Sequence, residues 1–279
     1  MAILQLNDVG KSYLRNSRVK FPTGRVEVLR NINLSIRENE FVCIVGRSGS
    51  GKTTLISLIA GLIDADAGSI LLEGKPIAGP GPDRGVIFQN YSLLPWLNVF
   101  DNVYLAVDAV APELSDQEKR QRTKYYIELV NLAPAIAKVP RELSGGMRQR
   151  VAVARGLAMD PKVLLLDEPF SALDALTRAT LQEELARIWM ETRKTVVMIT
   201  NDIDEAILLA DTIYTLTCGP GATLGPAVLI DAPHPRSRLQ LSGQAGYHKA
   251  RRDTLQMLTG TALAPRTAAS AAATESLLH

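Results

Sequence analysis

The sequence predicts an α/β fold: a mostly parallel, buried sheet with a helical segment inserted between two of its strands. Three observations point there. Continuous apolar runs at residues 41–45 and 163–166, and a third at 195–200, have the length and β-branched content of strands covered on both faces. Helical periodicity alternates with them: Leu55, Leu58, Ile59 and Leu62 share one side of a helix over 53–62, and Leu181, Leu185 and Ile188 share one side of another. From about 91 to 156 the text turns helical and charged. The strongest helix there covers 116–132, where Glu118 and Arg122 stand at helical spacing.

The flanking elements follow from the same patterns. Alternation at Leu4-Gln5-Leu6 and over 32–36 reads as half-buried strands of an N-terminal antiparallel β subdomain. Residues 16–24 are polar and broken by Pro and Gly, a turn or loop. Residues 213–217 form the last core strand. One domain therefore spans 1–219, with its helical subdomain at about 91–156. An extension over 220–260 carries a short helix near 251–258, and an Ala/Thr/Ser-rich mobile tail runs over 261–279.

Composition bounds the function. The 279 residues, 46% of them apolar, suffice for one large domain, and a net charge of +2 with no basic block gives no reason to expect nucleic acid. Cys43 and Cys218 have no metal-ligand spacing; Cys43 reads as a small core residue, and this usage suits a reducing cytoplasm. No stretch approaches the roughly 18 apolar residues of a membrane span, and the first residues lack the pattern of a signal peptide. Membrane association must come through a partner.

Gly46-Arg47-Ser48-Gly49-Ser50-Gly51-Lys52-Thr53 matches G-x-x-x-x-G-K-[ST] between a buried strand and a helix. Glycines let the backbone curl so that several N–H groups converge on phosphates, and the following helix aims its positive end at the same point. Lys52 reaches the β- and γ-phosphates of ATP, the Thr53 hydroxyl ligates Mg²⁺, and Thr54 belongs to the same nucleotide-binding set. Asp167 and Glu168 end the strand at 163–167, where open α/β sheets hold ligands. Asp167 is expected to hold Mg²⁺ through its water shell, and Glu168 to act as general base on the attacking water.

Residues 143–150, Leu-Ser-Gly-Gly-Met-Arg-Gln-Arg, read alone as a helix start with Ser144 as cap and a helix from Met147. Between the cradle and the acidic strand, the segment resembles the signature motif of ABC ATPases. Gln89, after residues 86–88, is similar to the family's Q-loop glutamine, a sensor of Mg²⁺ and the γ-phosphate. Ser171-Ala172-Leu173-Asp174 resembles the D-loop that crosses between subunits. Tyr13 is placed like the adenine-stacking aromatic, although an aromatic at a strand end also serves as packing. The resemblance covers about residues 3–217. It implies a P-loop NTPase (RecA-like) core and a pair of ATPase subunits arranged head to tail, each ATP held between one cradle and the other's signature motif. Ser144, Gly145 and Gly146 then face the partner subunit's γ-phosphate, and integral membrane permease subunits convert closure into transport. Residues 90–96, apolar and aromatic for a loop, are either subdomain core or a docking groove for a permease helix.

One position departs from the family. The strand at 195–200 is followed by Asn201, where the family carries a histidine that contacts the γ-phosphate. His234, His248 and His279 all lie beyond the last core strand. Asparagine keeps a donor but carries no charge and relays no proton. Two expectations follow: a slow site tolerated in a pair of non-identical ATPases, or a simple replacement with modest loss. For cargo, residues 79–96 are similar to importers of small anions and sulfonates. Residues 102–108 and 219–226 look most like the nitrate/nitrite group, whose relatives carry cyanate or bicarbonate. Taurine or another sulfonate is the alternative. A substrate-binding protein is implied as an indirect partner, as is a place on the cytoplasmic face of the inner membrane. A mainly regulatory nucleotide-binding subunit is the remaining reading.

Overall fold

A computed structural model describes residues 2–14, 24–241 and 243–259, so most of the expected loop at 16–24 and the tail from 261 lie outside the described residues. β1 (Ala2–Leu14) pairs antiparallel with β2 (Arg25–Arg37) and β4 (Ala67–Leu72), and β5 (Lys75–Pro76) completes a four-stranded sheet in the order β2-β1-β4-β5. Leu4, Leu6, Ile32, Leu34 and Ile36 are the buried half of the alternation.

The second sheet has six strands, in the order β10-β9-β3-β8-β7-β6. β3 (Phe41–Gly46), β6 (Arg84–Ile87), β7 (Val163–Asp167), β8 (Thr195–Thr200) and β9 (Thr212–Leu216) run parallel, and β10 (Val228–Leu229) closes one edge antiparallel. Every residue of β3, β7 and β8 is buried, which is why their sequences carry no alternation. Successive side chains of β3 still point to opposite faces. Phe41, Cys43 and Val45 enter one core cluster, while Val42 and Ile44 enter the other, beneath the antiparallel sheet.

Helix α1 (Lys52–Ile59) lies over the second cluster, and α2 (Val99–Val110), α3 (Asp116–Leu129) and α4 (Gly145–Ala158) form the helical insertion. α5 (Ala175–Thr192) and α6 (Ile203–Leu209) pack on the first cluster through Leu181, Leu185, Ile188 and Ile207. Two short helical turns, at Ala133–Ala135 and Pro140–Glu142, join α3 to α4. No helix among the described residues is long and apolar enough to cross a membrane.

Several element ends differ from the sequence expectation, each for a local reason. α1 stops at Ile59 because Gly61 turns left-handed; the Leu62 N–H then returns to the Ser57 carbonyl (2.9 Å) and Gly61 to Leu58 (3.0 Å), so Leu62 is exposed instead of packed. In α3, Glu118 accepts from the Ser115 backbone N–H (2.8 Å) in a capping box, a use that spacing to Arg122 does not reveal. α4 begins at Gly145, two residues before the expected start, since the Ser144 cap accepts from Met147 N.

The extension after β9 is more structured than a single short helix. α7 (Arg238–Leu241) precedes α8 (Ala245–Thr259), twice the length expected. Buried Arg236 ties this segment down, donating to the carbonyls of Ile207 (2.9 Å), Ala210 (2.5 Å) and Ala232 (2.9 Å), while His234 meets Asp211 at 3.1 Å.

The segment after β6 is anchored by Asn102 of α2, which is 1% exposed. Its Oδ1 accepts from Leu94 N (2.9 Å), and its Nδ2 faces the carbonyls of Leu94 (3.2 Å), Leu97 (2.9 Å) and Asn98 (3.0 Å). Truncating it strands buried backbone groups. Asn102→Ala is expected to lower unfolding free energy by about 2–3 kcal/mol in urea titrations, with the m-value unchanged.

Candidate functional site

The site grows from one edge of the parallel sheet. Register pairs Val45 of β3 with Thr200 of β8, and Ile199 of β8 with Asp167 of β7. The ends of three strands therefore present Gly46, Asp167 with Glu168, and Asn201 side by side. The cradle leaves β3 at Gly46, where a Cβ would meet Ser50 Oγ at 2.6 Å, and enters α1 through Gly51. Gly51 has φ 99°, and a Cβ there would also meet Val28 Cγ1 at 2.9 Å, so only glycine serves.

α1 has no side-chain cap and no acid in its first turn, whereas α2 to α6 are capped by Asn98, Ser115, Ser144, Asp174 and Asp202. Its first N–H groups, with the helix dipole behind them, are left for an anion. Lys52, 4% exposed, donates to the carbonyls of Gly46 (2.8 Å) and Arg47 (3.1 Å) and meets Glu168 at 3.2 Å. Buried Ser50 Oγ has no hydrogen-bond partner among the described residues. Arg47, Ser48 and Gly49 are exposed on the loop, and Thr54 is half-buried in the first turn of α1. An open cleft of about 910 Å³ adjoins the loop, lined by Ser48, Gly49 and Ser50 with Val26, Val28 and Cys218. Tyr13, 42% exposed, pairs across the strands with Val26 at its margin, and Lys11 stands over its ring at 5.7 Å.

The Thr53 hydroxyl donates to Asp167 Oδ1 at 3.3 Å. Burial pushes the Asp167 carboxyl above its ordinary range, with the Thr53 hydrogen bond pulling the other way and the Glu168 charge adding to the rise. The donor set of one hydroxyl and a neighbouring carboxylate suits a hard cation such as Mg²⁺. Glu168 has φ 43°, a left-handed conformation held by its N–H on the Ile199 carbonyl (3.1 Å), and such strain concentrates at functional positions. Ser171 Oγ donates to the Glu168 carbonyl (2.9 Å) and accepts from Gln89 Nε2 (3.0 Å). Gln89 is thus brought to Glu168 through Ser171, a link that only the tertiary structure discloses. Asn201 is exposed and lines a cavity of about 240 Å³ together with Glu168, Ser171, Thr200 and Glu205.

Ser144 and Asp174 stand outside both the cleft and this cavity. They belong to a second surface, where α4 and α5 begin together: a Cβ on Gly146 would meet Thr177 Cγ2 at 2.7 Å, and one on Gly145 would meet Leu173 Cδ2 at 3.2 Å. Asp174 accepts from Thr177 N (3.0 Å), and hydrogen bonding by the Thr177 side chain, then by its backbone N–H, holds the Asp174 carboxyl below the usual range. In the loop after Gln89, Tyr91 and Leu93 pack against the core, as one expectation for residues 90–96 has it, while Trp96 is 72% exposed. Arg155 of α4 holds the left-handed Tyr91 and Ser92 by their carbonyls, at 2.9 and 2.6 Å. Sequence reasoning passed over Arg155 and buried Glu205. The pair Asp202 and Glu205 was readable as a helix start, but nothing along the chain indicates what Glu205 bonds to.

Cradle, acidic strand end and signature helix define an ATP-binding cassette. The ABC transporter family profile matches residues 29–171, and the chain belongs to that family as an ATP-binding domain. It is 48% identical over 255 residues to the nitrate import ATP-binding protein NrtD of Synechococcus elongatus, covering 91% of each chain. It is equally 48% identical over 237 residues to the bicarbonate transport ATP-binding protein CmpD of the same organism, covering 85% of each. Among solved structures it resembles the ATP-binding cassette MJ0796, in a dimeric post-hydrolysis state bound to ADP and Pi. There the TM-score is 0.69 at 30% identity, over 82% of this chain and all of that one.

The raised Asp167 carboxyl has a consequence for stability. A carboxyl whose folded pKa exceeds its unfolded value costs stability once pH rises past the unfolded value near 3.9, and the cost is complete above the folded pKa. Asp167→Asn is therefore expected to raise the Tm of the nucleotide-free chain at pH 7.5 by roughly 2–4 °C. The gain disappears as pH falls and the wild-type carboxyl takes up its proton. Thermal scans across pH 4–8 check this.

Proposed function

We propose that this chain binds MgATP at the Gly46 to Thr53 cradle and hydrolyses it as one ATPase subunit of an importer of a small inorganic anion, with nitrate or nitrite the preferred cargo. The observation that carries the ATPase reading is the convergence of an uncapped helix N-terminus, Lys52 and Glu168 on one sheet edge. Support for the anion comes from the two relatives above, one a nitrate and one a bicarbonate system.

Lys52 is paired with Glu168, so base and cation neutralise each other. Phosphates entering the cradle offer Lys52 better partners, together with the free N–H groups of α1 and the unsatisfied Ser50 hydroxyl. Glu168 is thereby released to accept a proton from the attacking water, while Gln89 and Ser171 steady it from the opposite side. Thr53, Asp167 and Gln89 would hold Mg²⁺, which supplies charge neutralisation at the transferred phosphoryl. Asn201 offers the γ-phosphate a neutral amide, so transition-state charge is stabilised less than by an imidazolium. Tyr13 borders the cleft as a stacking surface for adenine.

Ser144, Gly145, Gly146 and Asp174 would complete the site of a second ATPase subunit, since none of them lines the cleft or the cavity beside this chain's own cradle. A non-identical partner is favoured by Asn201. It is favoured also by the relative NrtC, a second nitrate import ATP-binding protein of Synechococcus elongatus. NrtC is 50% identical over 84% of this chain and 36% of its own length. Trp96 and its surroundings would receive a helix of the membrane permease, which fixes the chain to the cytoplasmic face of the inner membrane as a peripheral subunit. A substrate-binding protein would deliver the anion from the other side.

Glu168→Gln in this subunit alone is expected to lower ATP turnover at this site by about 10²–10⁴-fold while leaving nucleotide binding intact. Unchanged hydrolysis in the assembled complex would assign the chain a regulatory role. Asn201→His is expected to raise the rate at least severalfold; no gain refutes the slow-site account. Cargo is tested by nitrate, bicarbonate and taurine uptake in cells lacking the chain.

A further inference from the structure

Beyond the cleft residue Cys218, the later part of the extension (residues 236–259) has no part in the site described so far, yet hydrogen bonds connect it to the segment carrying Asn201. Arg238 Nη2 donates to Gln182 Oε1 of α5 at 2.6 Å. Gln182 Nε2 donates to Glu205 Oε1 of α6 at 2.7 Å, and the other Glu205 oxygen accepts from the Thr200 hydroxyl. Thr200 Oγ1 in turn accepts from Asp202 N at 3.0 Å. Gln182 is wholly buried, and Thr200 and Glu205 nearly so, at 3% and 4% exposure. The chain of bonds ends on both neighbours of Asn201, beside the cavity shared with Glu168. A second tie runs from the same extension: Tyr247 OH and Arg251 Nε both donate to Asp204 Oδ1 at 2.8 Å, in the first turn of α6.

We propose that Arg238 is a positioning residue for ATP hydrolysis, holding Asn201 in register with the γ-phosphate through Gln182, Glu205 and Thr200; this rests on the ATPase reading above. The geometry makes the relay directional. Gln182 has an acceptor and a donor end, and Arg238 occupies the acceptor, which leaves the amide N–H₂ turned toward Glu205. Glu205 is then supplied with a donor on each oxygen, the condition for keeping a carboxylate in a buried place. Without Arg238 the amide is free to rotate and offer Glu205 its oxygen. The carboxylate would lose a partner, and the Thr200 hydroxyl would be drawn elsewhere. Asn201 has no histidine ring to span a changed distance, so its short amide depends on that placement.

The test uses the ATPase complex purified with its membrane subunits. Arg238→Ala is expected to lower kcat about 3–10-fold, the value of one charge-assisted hydrogen bond from an exposed arginine to a buried amide, with KM for MgATP within twofold. Arg238→Lys, which retains a donor, should recover most of the rate. Arg252→Ala on exposed α8 should leave it unchanged. Arg238 and Thr200 are not in contact, so two unconnected sites would have additive effects on kcat. Here Arg238→Ala combined with Thr200→Val is expected to cost no more than the larger single change. An unaltered kcat in Arg238→Ala, or additive losses in the double variant, overturns the proposal. A wild-type complex whose turnover is indifferent to Glu168→Gln instead removes the ATPase reading on which it rests.

Discussion

The parallel pairing of β3, β8 and β7 is the constraint from which the site follows. Because the three strands are hydrogen-bonded in register, their C-terminal ends terminate at one level, and residues far apart in sequence become neighbours. The pairing brings Gly46, Asp167 and Asn201 to one edge without any contact among the side chains themselves. Burial of the strands on both faces makes that register rigid, since sliding by one residue would exchange the two core clusters on either side of β3. The cradle at Gly46, the carboxylates of Asp167 and Glu168, and Asn201 all depend on that level.

On this frame the local chemistry has opposite demands at its two surfaces. At the cradle, groups are left unsatisfied: α1 lacks a side-chain cap, Ser50 Oγ lacks a partner among the described residues, and burial pushes the Asp167 carboxyl above its ordinary range. At the second surface, by contrast, Ser144 and Asp174 each accept a backbone N–H as helix caps. The two surfaces thus differ in whether their polar groups already have partners. The Lys52–Glu168 ion pair at the cradle links the helix start to the end of β7.

Sequence patterns and tertiary placement contributed different things. Strands β3, β7 and β8 were legible because burial on both faces demands unbroken apolar runs, and the cradle was legible because phosphate recognition needs glycine, lysine and a hydroxyl within eight contiguous residues. The ends of α1 and α3 were less so. Periodicity extends past Ile59 to Leu62, and only the backbone turn at Gly61 decides that Leu62 faces solvent. The spacing of Glu118 to Arg122 suggested an ion pair, but the shorter reach to the Ser115 N–H prevailed.

The sequence by itself determined that a glycine-rich cradle lies between a buried strand and a helix, and that the family is that of ABC ATPases. Such information is contiguous, because each motif is a few adjacent residues whose backbone must curl or stop in one way. Only the tertiary structure decided that Gln89 reaches the Glu168 carbonyl through Ser171, that Arg155 shapes the loop after Gln89, and that exposed Arg238 is joined to Thr200 through buried Gln182 and Glu205. Those partners lie tens of residues apart. A hydrogen bond constrains position in space and leaves no period in the chain.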